Sequence, residues 1–222
     1  MRFFLLYLLF SGVIAARCQE VNVRVTASFS GKPLLLESFY QLPGGDSIAF
    51  DGVRFYISDI ALYLGDKRVY TEKDSYHLVD VSDEVTTHFR VSATQHFDKI
   101  VFHLGIDSAT STSGALGGDL DPGKGMFWTW QSGYINCKIE GRSNRCPTRH
   151  HDFSLHLGGY SGADLAIQEI ALPVSPGDIV INLPLDKFLA AIDLRRQHTV
   201  MSPGPGAVAL SKTLAALFEV SR

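Results

Sequence analysis

Cysteine, methionine and tryptophan are all scarce in this 222-residue chain: three, three and two residues. So few cysteines, with no C-x-x-C pair, exclude a disulfide-stapled mini-protein and a zinc-ribbon site. There is no excess of basic charge: 20 Lys and Arg stand against 23 Asp and Glu, for a net charge of −3, so a nucleic-acid partner has no electrostatic footing. Only the N-terminus carries a long apolar run, Phe3 to Phe10, well short of the roughly 20 residues of a membrane span. Local catalytic signatures are missing as well. No G-x-S-x-G, P-loop, G-x-G-x-x-G opening a helix or H-E-x-x-H occurs, which excludes enzymes that depend on them.

What is present starts with an address. Arg2, the apolar run and the small residues Ser11 to Ala16 have the layout of a secretory signal over residues 1–16, leaving 19–222 as one exported domain. Cys18 follows the cut. Arg17 stands before it, where a lipobox has a small residue, so a soluble periplasmic or extracytoplasmic protein is favoured over a lipid anchor at Cys18. Cys137 and Cys146 are close in sequence and would meet an oxidising compartment, so a disulfide between them is expected.

Hydrophobic residues make up 45% and charged residues 19% of the chain, an ordinary globular balance. The apolar residues alternate with period two. Val21, Val23, Val25, Ala27 and Phe29 form a first strand; Asp51-Gly52 reads as a turn leading into Arg54–Leu64. Further strands are expected over 76–81, 99–104, 128–139, 153–157, 166–172 and 178–183, separated by Gly, Ser, Asp and Pro. The implied fold is all-β, an antiparallel sandwich of Greek-key type. Leu185, Phe188, Leu189 and Ile192, and then 207–218, recur at helical spacing and predict one or two C-terminal helices packed on it. The Gly/Ser/Thr/Asp-rich stretch 106–125 is a loop long enough to be functional or mobile.

Eight histidines are present, three of them on strands. His77 shares a strand face with Val79 and Val81. His103 shares one with Val101, opposite Phe102 and Leu104, and His156 one with Ser154, opposite Phe153, Leu155 and Leu157. Rigid strands can hold imidazoles as ligands for copper, zinc, iron or nickel, although each alone also suits a hydrogen-bonded structural role. Both tryptophans lie in Gly125–Ile135, where Trp128 and Trp130 would share a strand face. They could fill the core, form a stacking platform with Tyr134, or carry a redox modification. Asp119 and Asp121 are too few for calcium and read as an acidic turn. Asp59 and Asp80 could pair as hydrolytic carboxylates but better suit backbone or arginine partners. Met201 reads as a cap beneath the last helix, although its thioether is a soft donor.

The segments DGVRFYISDIALY (51–63), YHLVDV (76–81), FHLGID (102–107), GALGGDLDPGKGMFWTWQSGYINCKIEG (114–141), CPTRHHDFSLHLGGY (146–160) and HTVMSPG (198–204) together resemble the MbnP-like family. The resemblance implies an exported β-sandwich that binds copper and has no turnover of its own. It further implies copper held by two histidines, which fall on His77 and His156 with His103 in reserve, and by a kynurenine made from Trp130 or Trp128. The implied partners are a di-haem peroxidase of the MauG or MbnH type and a copper chaperone or outer-membrane transporter. Cys146 fits the family pattern, whereas Cys137 stands where other members often carry an aromatic. The competing reading is an exported carbohydrate- or peptide-binding module that stacks its ligand on Trp128, Trp130 and Tyr134.

Overall fold

The computed structural model describes residues 19–93, 95–130 and 133–221. The expected signal segment and Cys18 lie outside them. Among the described residues the chain forms two sheets. The smaller contains β1 (Gln19–Phe29), β2 (Lys32–Pro33), β7 (His88–Ala93), β13 (Ile179–Pro184) and β15 (Glu219–Val220). The larger contains β3 (Tyr40–Gln41), β4 (Ser47–Leu64), β5 (Lys67–Thr71), β6 (Tyr76–Asp80), β8 (Lys99–Leu104), β9 (Phe127–Trp128), β10 (Gly133–Ser143), β11 (Asp152–Gly158), β12 (Gln168–Pro173) and β14 (Thr199–Val200). Most pairings are antiparallel, as expected. Two are parallel, β1 with β13 and β11 with β14, so the sandwich is mixed at those places.

The main core lies between the sheets. Val21, Val23 and Val25 of β1 meet Val53, Phe55 and Ile57 of β4, with Leu155 and Leu157 of β11 in the same cluster. Helices α2 (Leu185–Ala191) and α3 (Pro205–Ala215) add Leu185, Phe188 and Leu189, and Ala207, Leu210 and Leu214, to that core, as the helical spacing predicts. Pro205 opens α3 at a position that needs no backbone donor.

Three local expectations are corrected. Asp51-Gly52 is not a hairpin turn but a bulge inside the long strand β4, where pairing to β10 shifts between Glu140 and Gly141. The stretch expected as one strand over 128–139 is a hairpin, with Trp128 paired to Gly133 and Trp130 in the connecting turn. The loop 106–125 is well anchored: it holds α1 (Ser108–Thr112) and two single turns of 3-10 helix and lies on the outer face of the larger sheet. Tyr56 donates to the Asp119 carbonyl at 3.0 Å, Tyr134 to the Leu120 carbonyl at 3.0 Å, and the Leu78 N–H to the Asp119 carboxylate at 3.1 Å. A second apolar cluster results, built from Tyr56, Leu78, Ile106, Leu120, Met126, Trp128, Tyr134 and Ile135. No helix among the described residues is long and apolar enough to cross a membrane.

Candidate functional site

Cross-strand pairing places each candidate side chain on one face of the larger sheet, because directly opposed residues point the same way. Asp80, Arg54, Lys138 and His156 form one row across β6, β4, β10 and β11. Arg54 and Asp80 close an ion pair at 2.7 Å in this row. The next row inward of β4, Val53, Phe55 and Ile57, faces the main core. His156 therefore projects from the outer face, whereas His77, opposite Ile57, projects into the space between the sheets. There its ring stacks on Phe89 of the smaller sheet at 4.1 Å, and its Nε2 meets the Glu72 carboxylate at 2.8 Å.

The two histidines are thus on opposite faces, three strand spacings and three residues of strand apart, about 17 Å. The structure does not bring them together. His103 is on the outer face, opposite Ser58, four residues along β4 from the His156 row and so about 13 Å away. Its Nδ1 meets Asp59 at 2.9 Å and its Nε2 meets Glu169 at 3.8 Å, which places the two carboxylates at different ring nitrogens rather than around one point. No three His, Cys, Asp or Glu side chains among the described residues are grouped so as to hold a metal ion.

His156 is only 6% exposed, and its Nε2 lies 2.9 Å from Glu140 Oε1. A carboxylate on one ring nitrogen fixes the tautomer and leaves the lone pair on Nδ1, a common arrangement behind a metal-binding imidazole. Burial lowers the His156 pKa below its ordinary value. The Lys138 charge acts in the same direction, while Glu140 opposes both. The ring is accordingly neutral at pH 7, the form that ligates. Glu140 also meets Lys138 Nζ at 3.4 Å.

Two residues beyond His156, Gly158 lies under an indole. A side chain begun at Gly158 would meet Trp128 Cζ3 at 2.6 Å and the Tyr134 carbonyl at 2.7 Å. Trp128 thereby packs one side-chain position from His156, about 7 Å along the strand. It is 7% exposed and belongs to the outer cluster, whereas Trp130 is 64% exposed, its ring centroid 5.8 Å from that of Trp128. Tyr134 is 1% exposed. With two of its three rings buried, the stacking platform is not formed.

The remaining carboxylates have structural partners. Asp80 also accepts from Ser82; Asp119 pairs with Lys124 at 2.6 Å; Asp121 accepts from the Gly123 N–H. The expected disulfide is absent: Cys137 and Cys146 are free and buried. Cys137 faces the core from β10, and Cys146 lies in the turn beyond it, donating its N–H to the Ser143 carbonyl. Extended chain from Cys137 to Ser143 spans about 20 Å, whereas a bridge needs Cα atoms within about 7 Å.

Glu140, Lys138 and Gly158 were not singled out from the sequence. Their signal was the alternation of polar Lys138 and Glu140 with the core residues Cys137 and Ile139, and the Gly158-Gly159 pair two residues after His156.

The molecule is thus a two-sheet β protein whose outer face carries one neutral, carboxylate-oriented histidine beside a buried tryptophan. A profile of the MbnP family matches residues 18–202, and the chain belongs to that family. The fold is similar to the solved structure of MbnP from Methylosinus trichosporium, with a TM-score of 0.63 at 16% identity over 87% of this chain and 84% of that one. No curated protein matches.

Proposed function

We propose that this chain is an exported protein that carries copper as cargo, for storage, delivery or sensing, without turnover. Membership of the MbnP family supports the copper reading. The observation that carries the site is the neutral His156 beside Trp128 on the outer face. Within this reading His156 supplies an imidazole, and Trp128, oxidised to kynurenine, supplies a carbonyl or amine donor. His77 serves the fold instead.

Trp130 exposes a ring against Trp128. That suits contact with a di-haem peroxidase. Oxidation would add two oxygen atoms across the indole C2–C3 bond, taken from two peroxides that are reduced to water. Hydrolysis of the N-formyl group would then release formate.

The test is a copper titration of protein secreted by its native host, beside His156→Ala and Trp128→Phe. Peptide mass spectrometry of 125–137 accompanies it. Expected are one-to-one binding, lost in His156→Ala and weakened in Trp128→Phe, and a peptide that has gained an oxygen and lost a carbon at Trp128. Absence of binding in the native-host protein would overturn the copper reading. An unmodified peptide in a binding protein would overturn the kynurenine and its haem partner.

A further inference from the structure

A cleft at the far end of β1 holds a charge that its surroundings do not balance. β1 stops at Phe29, whose ring stacks on Tyr40 at 4.2 Å. After β3 the chain turns through Leu42-Pro43-Gly44-Gly45-Asp46, where both glycines take positive φ and the Leu42 N–H donates to the Asp46 carbonyl at 2.7 Å. This turn, helix α2 and the turn after β10 enclose a cleft of about 320 Å³. Phe29, Leu42, Pro43 and Leu189 give it apolar walls, and Arg145 and Asp186 are its two charged residues. Its size and its few polar groups are those of a small-molecule site.

The two charges differ in how they are held. Arg145 Nε meets Asp46 at 2.7 Å and Nη2 donates to the Pro43 carbonyl at 3.3 Å, so the guanidinium is fixed and neutralised by its own neighbours. Asp186 is half-buried, and its side chain makes no hydrogen bond or salt bridge among the described residues; its Oδ1 is shut off from solvent as well. The adjacent Lys187 turns instead to Glu219, at 2.8 Å. Arg145 and Asp46 cancel, which leaves the cleft with the single negative charge of Asp186. An unpaired, partly desolvated carboxylate is costly to keep, and a bound donor would remove that cost.

We propose that this cleft binds a small organic ammonium ion with an apolar body, the nitrogen against the Asp186 carboxylate and the carbon chain along Phe29, Leu42 and Leu189. An ammonium supplies both the missing charge and charge-assisted hydrogen bonds. An anion would meet Asp186 with like charge. A zwitterion would need a second free cation, and Arg145 is already engaged by Asp46. None of these residues is a copper donor in the reading above, so the two sites stand or fall separately.

The experiment is calorimetric titration of the secreted protein, Asp186→Asn and Ala190→Phe with isopentylamine, isopentyl alcohol and L-leucine, which share one branched carbon skeleton. Ala190 is an exposed residue at the cleft wall, and a phenyl ring there would fill the space. The amine is expected to bind saturably, one to one, and about tenfold or more tightly than the alcohol or leucine. Asp186→Asn should weaken the amine about tenfold and leave the alcohol within twofold, whereas Ala190→Phe should weaken both. The melting temperature of Asp186→Asn without ligand should equal or exceed that of the parent, because the change removes an unpaired charge. No saturable binding of the amine by the parent protein would overturn the site, as would equal amine affinity in the parent and Asp186→Asn. Leucine binding as tightly as the amine would overturn the choice of a simple cation.

Discussion

His77 and His156 project from opposite faces of the same sheet, one onto Phe89 between the sheets and the other outward beside Glu140. One metal ion cannot take both. The stacked ring of His77, held by Glu72, joins the two sheets and accounts for a histidine at the core edge.

His77→Ala is therefore expected to destabilise the fold while leaving copper affinity within twofold. Loss of the stack and of the Glu72 hydrogen bond should cost about 1–3 kcal/mol. Urea unfolding beside a copper titration checks this. A copper defect without a stability defect would return His77 to the metal site.

Gly158→Ala should disturb Trp128 directly. The new methyl would stand 2.6 Å from the indole and 2.7 Å from the Tyr134 carbonyl, and the carbonyl belongs to the strand itself and cannot swing aside. The expected cost is about 1–3 kcal/mol, with a red-shifted tryptophan emission as Trp128 gains contact with water. Unchanged emission and melting temperature would mean that the ring does not lie on Gly158.

Neither core thiol should react in the native state. Burial raises the Cys137 thiol far above its ordinary range and, together with the Asp152 charge, raises Cys146 to about 11. In a Cys18→Ser background, a maleimide at pH 7 should leave the folded protein unlabelled and add two labels after denaturation without a reductant. Labelling that requires a reductant would reveal a bridge.

Acid should weaken the Arg54–Asp80 row. Burial acts to raise the Asp80 pKa, but hydrogen bonds from Ser82 and the Arg54 charge outweigh it and hold the carboxyl below its ordinary value. A lowered carboxylate pKa stabilises the fold above the unfolded value of about 3.9, and this contribution is lost as pH falls through the folded value. Asp80→Asn should cost about 1–3 kcal/mol at pH 7, and its stability should converge on that of the parent below about pH 4. Parallel stability curves from pH 7 to pH 3 would contradict the assignment.

Much of this was open to reading in the sequence. In β4 the core residues are Ile48, Phe50, Val53, Phe55, Ile57, Ile60 and Leu62. Their two three-residue steps fall at Asp51-Gly52 and Ser58-Asp59, the places where the pairing shifts. A period-two pattern with such a step marks a bulge as readily as a turn, and only the strand partners distinguish them. The alternation around His77 and His156 was equally visible: one shares its face with Val79 and Val81, the other stands opposite Leu155 and Leu157.

Strand faces, helix faces and the family segments follow from local order, because a side chain's direction depends on its own backbone and immediate neighbours. That β6 and β11 belong to one sheet, so that their histidines point apart, depends on pairing through β4 and β10. Trp128 reaches Gly158 from 30 residues away in the chain, and the segment carrying Met201 reaches β11 across 45. The sequence alone determined which residues carry ligand chemistry and which neighbours His77 and His156 share a face with on their strands. The tertiary structure decided which of them meet, since strand pairing and burial act between segments that are remote along the chain.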